Sequence, residues 1–176
     1  MFKFFKMIFA VGALVVIMGA VYYITTYTTV MVSGHSMDPT LVENKRYAAN
    51  KKESIKRFDI VVFNVPDGDK YVKRVIGMPG DVIEFKNDQL YINGKQYDEP
   101  YLAKYKAKSV ATFTQDFSSK TLLPGNQGKI PNNCYFVMGD NRQASKDSRE
   151  IGVISQSKIF GVLDFEVLPN IGQKVR

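Results

Sequence analysis

One cysteine and one histidine are all that this chain of 176 residues offers among thiols and imidazoles. Cys134 alone permits no intrachain disulfide and supplies no set of thiolate ligands for zinc, so an apolar core has to hold the folded part together. His35 is the only imidazole open to any catalytic group. Between Met7 and Ile24 there is no charge and no proline, and between Lys6 and Lys45 there is neither Lys nor Arg. Internal repeats are missing, as is a compact basic stripe interleaved with aromatics. The formal charge of +7 and a pI near 9.4 therefore come from scattered lysines and arginines with acids among them. That pattern matches no nucleic-acid motif, and no nucleic-acid partner is expected; anionic lipid remains a partner for such a charge.

What is present first is a membrane anchor. The run MIFAVGALVVIMGAVYYI, residues 7–24, rises ~1.5 Å per residue as a helix and spans most of a ~30 Å hydrocarbon layer. Lys3 and Lys6 precede it, and the positive-inside bias places this short N-terminus in the cytoplasm. The expected division is 1–6 inside, 7–27 as anchor and 28–176 outside, with Tyr22, Tyr23 and Tyr27 at the outer interface. A cleaved signal peptide shares the basic start and the apolar run. Its best cut, after Ala20, would put Met18 where a small residue is wanted, and the run exceeds the usual h-region of ~7–15 residues.

Beyond Thr29 the chain turns to short strands separated by turns. FDIVVFNV and KYVKRVIGM flank PDGD and predict a hairpin; MPGD, residues 78–81, repeats the Pro-Gly turn chemistry. Asn93-Gly94 lies between two alternating runs, the strongest short hairpin signal, because a type I′ turn needs positive φ at both central residues. Residues 103–132 are polar and weakly patterned, read as a loop-rich excursion with one short strand pair. CYFVMGDN resumes a buried strand, and KIFGVLDFEVLP supplies the last one or two. The fold expected is mostly β: an antiparallel, barrel-like or sandwich-like sheet without a convincing amphipathic helix.

Ser36, in MVSGHSMDPTL, invites a nucleophile reading, and a serine hydroxyl needs a base. In an extended segment neighbouring side chains point to opposite faces, so His35 should turn away from whatever Ser36 faces. A lysine is the alternative base. It must be neutral, and a neutral amine near pH 7 requires desolvation from its usual pKa of ~10.4. Lys73, in YVKRVIGMPGD, sits in an apolar strand with Tyr71 on its face and Arg74 on the other. Taken alone, VKRV reads equally as two solvent-facing basic residues on an edge strand. MGDNRQASKDSREIG, residues 138–152, taken alone is an Asp/Asn-rich loop satisfied by its own backbone. Its spacing does not fit a calcium loop, and no metal is expected.

Together and in this order, SGHSMDPTL, FDIVVF with YVKRVIGMPGD, and GDNRQASKDSREIG resemble the bacterial type I signal peptidases. These membrane-bound serine peptidases remove signal peptides from exported preproteins. The resemblance implies Ser36 as nucleophile, Lys73 as general base, and Ser145 as the hydroxyl that orients the lysine. It implies an Asp147–Arg149 ion pair and Asp140 as partner of Arg74. It further implies a catalytic β domain with an inserted cap over about 86–133, an exposed apolar surface near the membrane, and small pockets lined by Val32, Met37, Leu41 and Val72 for the first and third residues before the cut. No cofactor is implied, and nothing in these residues speaks to oligomeric state. Position 34 is Gly, as in many Gram-positive members, where other members carry a hydroxyl that helps hold the oxyanion. Two other classes stand beside this one: a tethered peptide-binding relative that lost catalysis, and the self-cleaving repressors that share the Ser-Lys fold but join it to a DNA-binding helix-turn-helix.

Overall fold

The structure, a computed structural model, describes residues 2–66, 68–107 and 112–167. The distal end of the expected outer domain, 168–176, lies outside the described residues, as does Asp67 in the PDGD turn.

Helix α1 (Phe2–Thr26) is apolar on all sides, and its 23 residues from Phe4 to Thr26 are long enough to cross a membrane, with Thr26 at its end buried against the sheets and the rest of the span exposed. Lipid is the solvent that such a surface requires. The helix ends one residue short of the expected anchor. Tyr27 opens strand β1 (Tyr27–Met31), paired with Asn50 and stacked 5.4 Å from Tyr23, so it belongs to the sheet and not to the span.

The remaining strands are β2 (Arg46–Asn50), β3 (Ile60–Asn64), β4 (Lys70–Gly77), β5 (Ile83–Lys86), β6 (Gln89–Ile92), β7 (Lys95–Tyr97), β8 (Phe117–Ser118), β9 (Cys134–Met138), β10 (Ile154–Ser155) and β11 (Ile159–Glu166). One-turn helices α2 (Ala103–Lys106), α3 (Ser119–Leu122) and α4 (Ser148–Ile151) interrupt them. A seven-stranded antiparallel sheet runs β1-β2-β11-β3-β4-β9-β10, and a four-stranded one β7-β6-β5-β8. Both have two ends, so the barrel of the sequence reading is an open, bent sheet. Register shifts between Ile159 and Gly161, Leu163 and Phe165, and Val75 and Gly77 supply the bends.

Strand β3 explains why its sequence is a continuous apolar run. Ile60 and Val62 enter one core cluster, with Val30, Met37, Leu41 and Val72, while Val61 and Phe63 enter another on the opposite side, with Val75, Tyr135 and Val137. Alternating side chains are buried on both faces. A third cluster, built on Ile76, Phe85, Leu90 and Phe136, joins the two sheets.

The expected hairpins form. β3 and β4 pair antiparallel across 65–69, and Asn93 and Gly94 take φ of 53° and 79° between β6 and β7. Asn87 and Asp88, with φ of 49° and 62°, make a comparable turn between β5 and β6 that the sequence reading passed over. The second sheet begins at Ile83, three residues before the expected cap. Among its described residues the excursion at 103–132 holds no internal strand pair. Its one short strand, β8, adds to the free edge of β5, where Phe117 stacks on Phe85 at 5.2 Å.

Candidate active site

The backbone brings three distant segments to one place: the loop after β1, strand β4, and the loop from β9 into α4. Ser36 is half-buried in the first. Lys73 is 4% exposed, and its Nζ donates to Ser36 Oγ at 2.8 Å and to the Val72 carbonyl at 3.1 Å. Burial drives the lysine pKa down to about 8, against the opposing pull of the Asp147 and Asp140 carboxylates. The side chain lies 5.1 Å from the Tyr71 ring, so an aromatic face supplies part of the dry surround.

His35 takes no part in this contact. It is 65% exposed, with Nδ1 3.0 Å from Asp38 and Nε2 3.4 Å from Glu43. Replacing it removes only exposed contacts, which are typically worth ~0–1 kcal/mol. His35→Ala should therefore retain most of the cleavage rate, measured as kcat/KM on one substrate. A loss as deep as that of a Ser36 variant would move the base from Lys73 to the imidazole. Gly34 has φ +81°, and its N–H is engaged by Glu43 Oε1 at 3.1 Å.

Arg74, next to Lys73, turns the other way. It is 1% exposed, with Nε 2.8 Å from Asp140 Oδ1 and a second guanidinium nitrogen 2.5 Å from Oδ2, and it also donates to the Phe58 carbonyl. Asp140 in turn accepts from Thr40 Oγ1 at 2.5 Å. One buried carboxylate thus ties the strand of Lys73 to the loop of Ser36.

The Asp147–Arg149 pair is formed, with two contacts of 2.8 Å. Asp147 also receives the Gly139 N–H at 2.9 Å and caps α4 by accepting from Arg149 N. Although burial alone would raise its pKa, Arg149 and the Gly139 amide outweigh burial and hold this carboxyl below its usual range. Ser145 is buried, yet its Oγ forms no hydrogen bond, so the bond to Lys73 implied by the resemblance is absent from this arrangement.

Val32, Met37 and Val72 line the cleft of about 640 Å³ that contains Ser36 and Lys73. Leu41 does not reach it. It is fully buried in the core cluster beneath, where it supports Met37 and Val72 from below.

Several positioning residues escaped the sequence reading. Asn141 N donates to the Ser36 carbonyl at 3.0 Å and its side-chain amide to the His35 carbonyl at 3.1 Å. Gly139 packs so tightly between Ser145 Oγ and the Ser36 carbonyl that a Cβ there would clash with both. Arg142, buried at 3% exposure, pairs with Glu99 of the second sheet's side and donates to the Gly139 carbonyl. The only local signal for these was the GDNR string itself. Among the described residues no group of three or more His, Cys, Asp and Glu is placed to hold a metal.

Comparison with known proteins gives this geometry a family. The chain is 42% identical over 167 residues to signal peptidase IB of Staphylococcus aureus strain Mu50, covering 91% of this chain and 86% of the relative. Signal peptidase I of Bacillus caldolyticus is 43% identical over 148 residues, covering 81% and 80%. The crystal structure of a signal peptidase I from Enterococcus faecalis V583 superposes with a TM-score of 0.59 at 42% identity, over 63% of this chain and 97% of that one. The profile described as signal peptidase, peptidase S26, matches residues 1–168, and the chain belongs to that family.

Proposed function

We propose that this chain is a membrane-bound serine endopeptidase that removes N-terminal signal peptides from exported preproteins. It cuts after small-x-small sites, with Ser36 as nucleophile and Lys73 as general base. The observation that carries this reading is the buried Lys73 amine 2.8 Å from the Ser36 hydroxyl. When the amine is neutral, the same contact reverses: the hydroxyl donates to the nitrogen lone pair, and the oxygen attacks the scissile carbonyl as Lys73 takes the proton. The ammonium then protonates the leaving amine, and the neutral lysine activates the water that frees the acyl group. The Ser36 backbone amide is the first donor to the oxyanion. Ser145 orients Lys73 by a hydrogen bond during the reaction. No metal or organic cofactor enters these steps.

In this reading α1 is a single-pass anchor with its N-terminus in the cytoplasm and the sheets outside. Enzyme and preprotein then share one bilayer, which raises their effective concentration. Val32, Met37 and Val72 are the walls that admit only small side chains.

Full-length protein in detergent, given a preprotein, should release a product whose N-terminus follows a small-x-small site. Enlarging the first or third residue before the cut to Leu should lower kcat/KM about 10–100-fold, the range over which a packed pocket discriminates by size. Cleavage elsewhere, or indifference to those side chains, would sink the proposal.

The pH profile follows from the base. Only the neutral amine accepts a proton, and its pKa is lowered to about 8. So kcat/KM should rise about tenfold per pH unit below that value and level off above it. A rate already flat from pH 6 upward would contradict a lysine base.

A further inference from the structure

We propose that Lys146 and Lys158 select an acidic side chain on the mature side of the substrate, just after the cut; this rests on the peptidase reading above. The catalytic cleft has a direction. Its walls come from Met31 and Val32 beside β1, from Ser36, from Asp69 to Lys73 of the β3–β4 hairpin, and from Ala144 and Lys146 of the loop after β9. β1 and β10 are the two opposite ends of the seven-stranded sheet. In the reading above Val32 walls the residues before the cut, which assigns the Lys146 side to the chain after it.

What it meets there is a second cavity of about 250 Å³. Tyr71 and Lys146 line both spaces, which makes the smaller a continuation of the larger toward β10. Its walls are apolar, with Val65, Val153 and Ile154 among them, and its charged groups are Lys146 and Lys158, with no carboxylate. Both lysines are exposed, and neither forms an ion pair among the described residues. Among the described residues two other lysines do find acids: Lys45 meets Glu166 at 2.8 Å, and Lys106 lies 3.7 Å from both Asp88 and Glu99. An apolar pocket rimmed by two uncompensated ammonium groups matches a short side chain ending in a carboxylate. Lys146 stands between the buried Ser145 and Asp147, which roots its side chain at the rim of both spaces.

The test uses full-length enzyme in detergent and peptides with a common small-x-small site, in which Asp, Asn or Lys is walked through the first four positions after the cut. The readout is the Asp-to-Lys ratio of kcat/KM at each position within one enzyme. At one position the wild-type ratio should reach about fivefold, as expected of a partly exposed ion pair, and it should shrink as ionic strength rises. Lys146→Glu and Lys158→Glu should each reduce or invert the ratio. Lys86→Glu, an equal charge change on the far sheet, should leave it in place. A ratio near one at all four positions overturns the inference while peptide cleavage itself stands. A ratio lowered equally by Lys86→Glu also overturns it, since net charge would then be the cause. Should no peptide be cut at all, the peptidase reading falls and this one with it.

Discussion

Ser36→Ala and Lys73→Ala should each lower cleavage about 10⁴-fold or more, because nucleophile and base act as one unit and losing either stops the same step. The loss should fall on kcat with substrate binding retained, since neither atom in the 2.8 Å contact is needed to hold the peptide. Lys73→Met is the sharper probe. It keeps most of the side-chain volume in a site that is 4% exposed and removes only the amine. Its Tm should stay within about 4 °C of the wild type, corresponding to ~1 kcal/mol for a chain of this size. Full inactivation with a preserved Tm separates chemistry from folding. Ser145→Ala belongs in the same series and should slow turnover without ending it, because its hydroxyl holds no bond in the free enzyme. Appreciable activity in Lys73→Met would end the Ser-Lys reading.

Arg74→Met should be the most damaging change to stability. It strands the Asp140 carboxylate, fully buried, with only the Thr40 hydroxyl as a side-chain partner. Breaking such a pair from one side costs about 3–5 kcal/mol, since the remaining charge stays out of water. At ~2–4 °C per kcal/mol the Tm should fall by about 6–20 °C. Changing both partners, Arg74→Met with Asp140→Leu, should recover much of that loss, as no uncompensated charge remains. Activity should not return with the Tm. Asp140 also holds Thr40, and through it the loop that carries Ser36, so the double variant should be folded and slow. A single Arg74→Met protein as stable as the wild type would show that the pair contributes nothing, contrary to its burial.

The parts of the site that could be read from residues alone were those whose local context is unusual. A lysine between valines in an apolar strand asks for a reason, and desolvation gives one. A serine in a loop rich in Gly and Pro is poised for exposure. The Asp147–Arg149 pair came only from the family resemblance, although its partners lie two positions apart and need no long-range folding. Asn141 and Thr40 gave no such warning. Asn141 acts on Ser36, and Thr40 on Asp140 across 100 positions of sequence. Arg142 and Glu99, 43 apart, likewise meet only when the second sheet docks on the first. Leu41 shows the opposite failure. Its neighbours Met37 and Val72 line the cleft, but one more layer of packing puts it under the wall.

Composition and periodicity alone settled the apolar N-terminal helix, the β character and the positions of the Pro-Gly and Asn-Gly turns, because each depends on residues within a few positions of one another. Strand partners were decided by tertiary packing. β11, last in the chain, slots between β2 and β3, and β8 completes the edge of β5. So was the chemistry of Lys73. A lysine's pKa follows from how much water surrounds it and which carboxylates approach, and those neighbours come from three segments that only the folded sheet brings together.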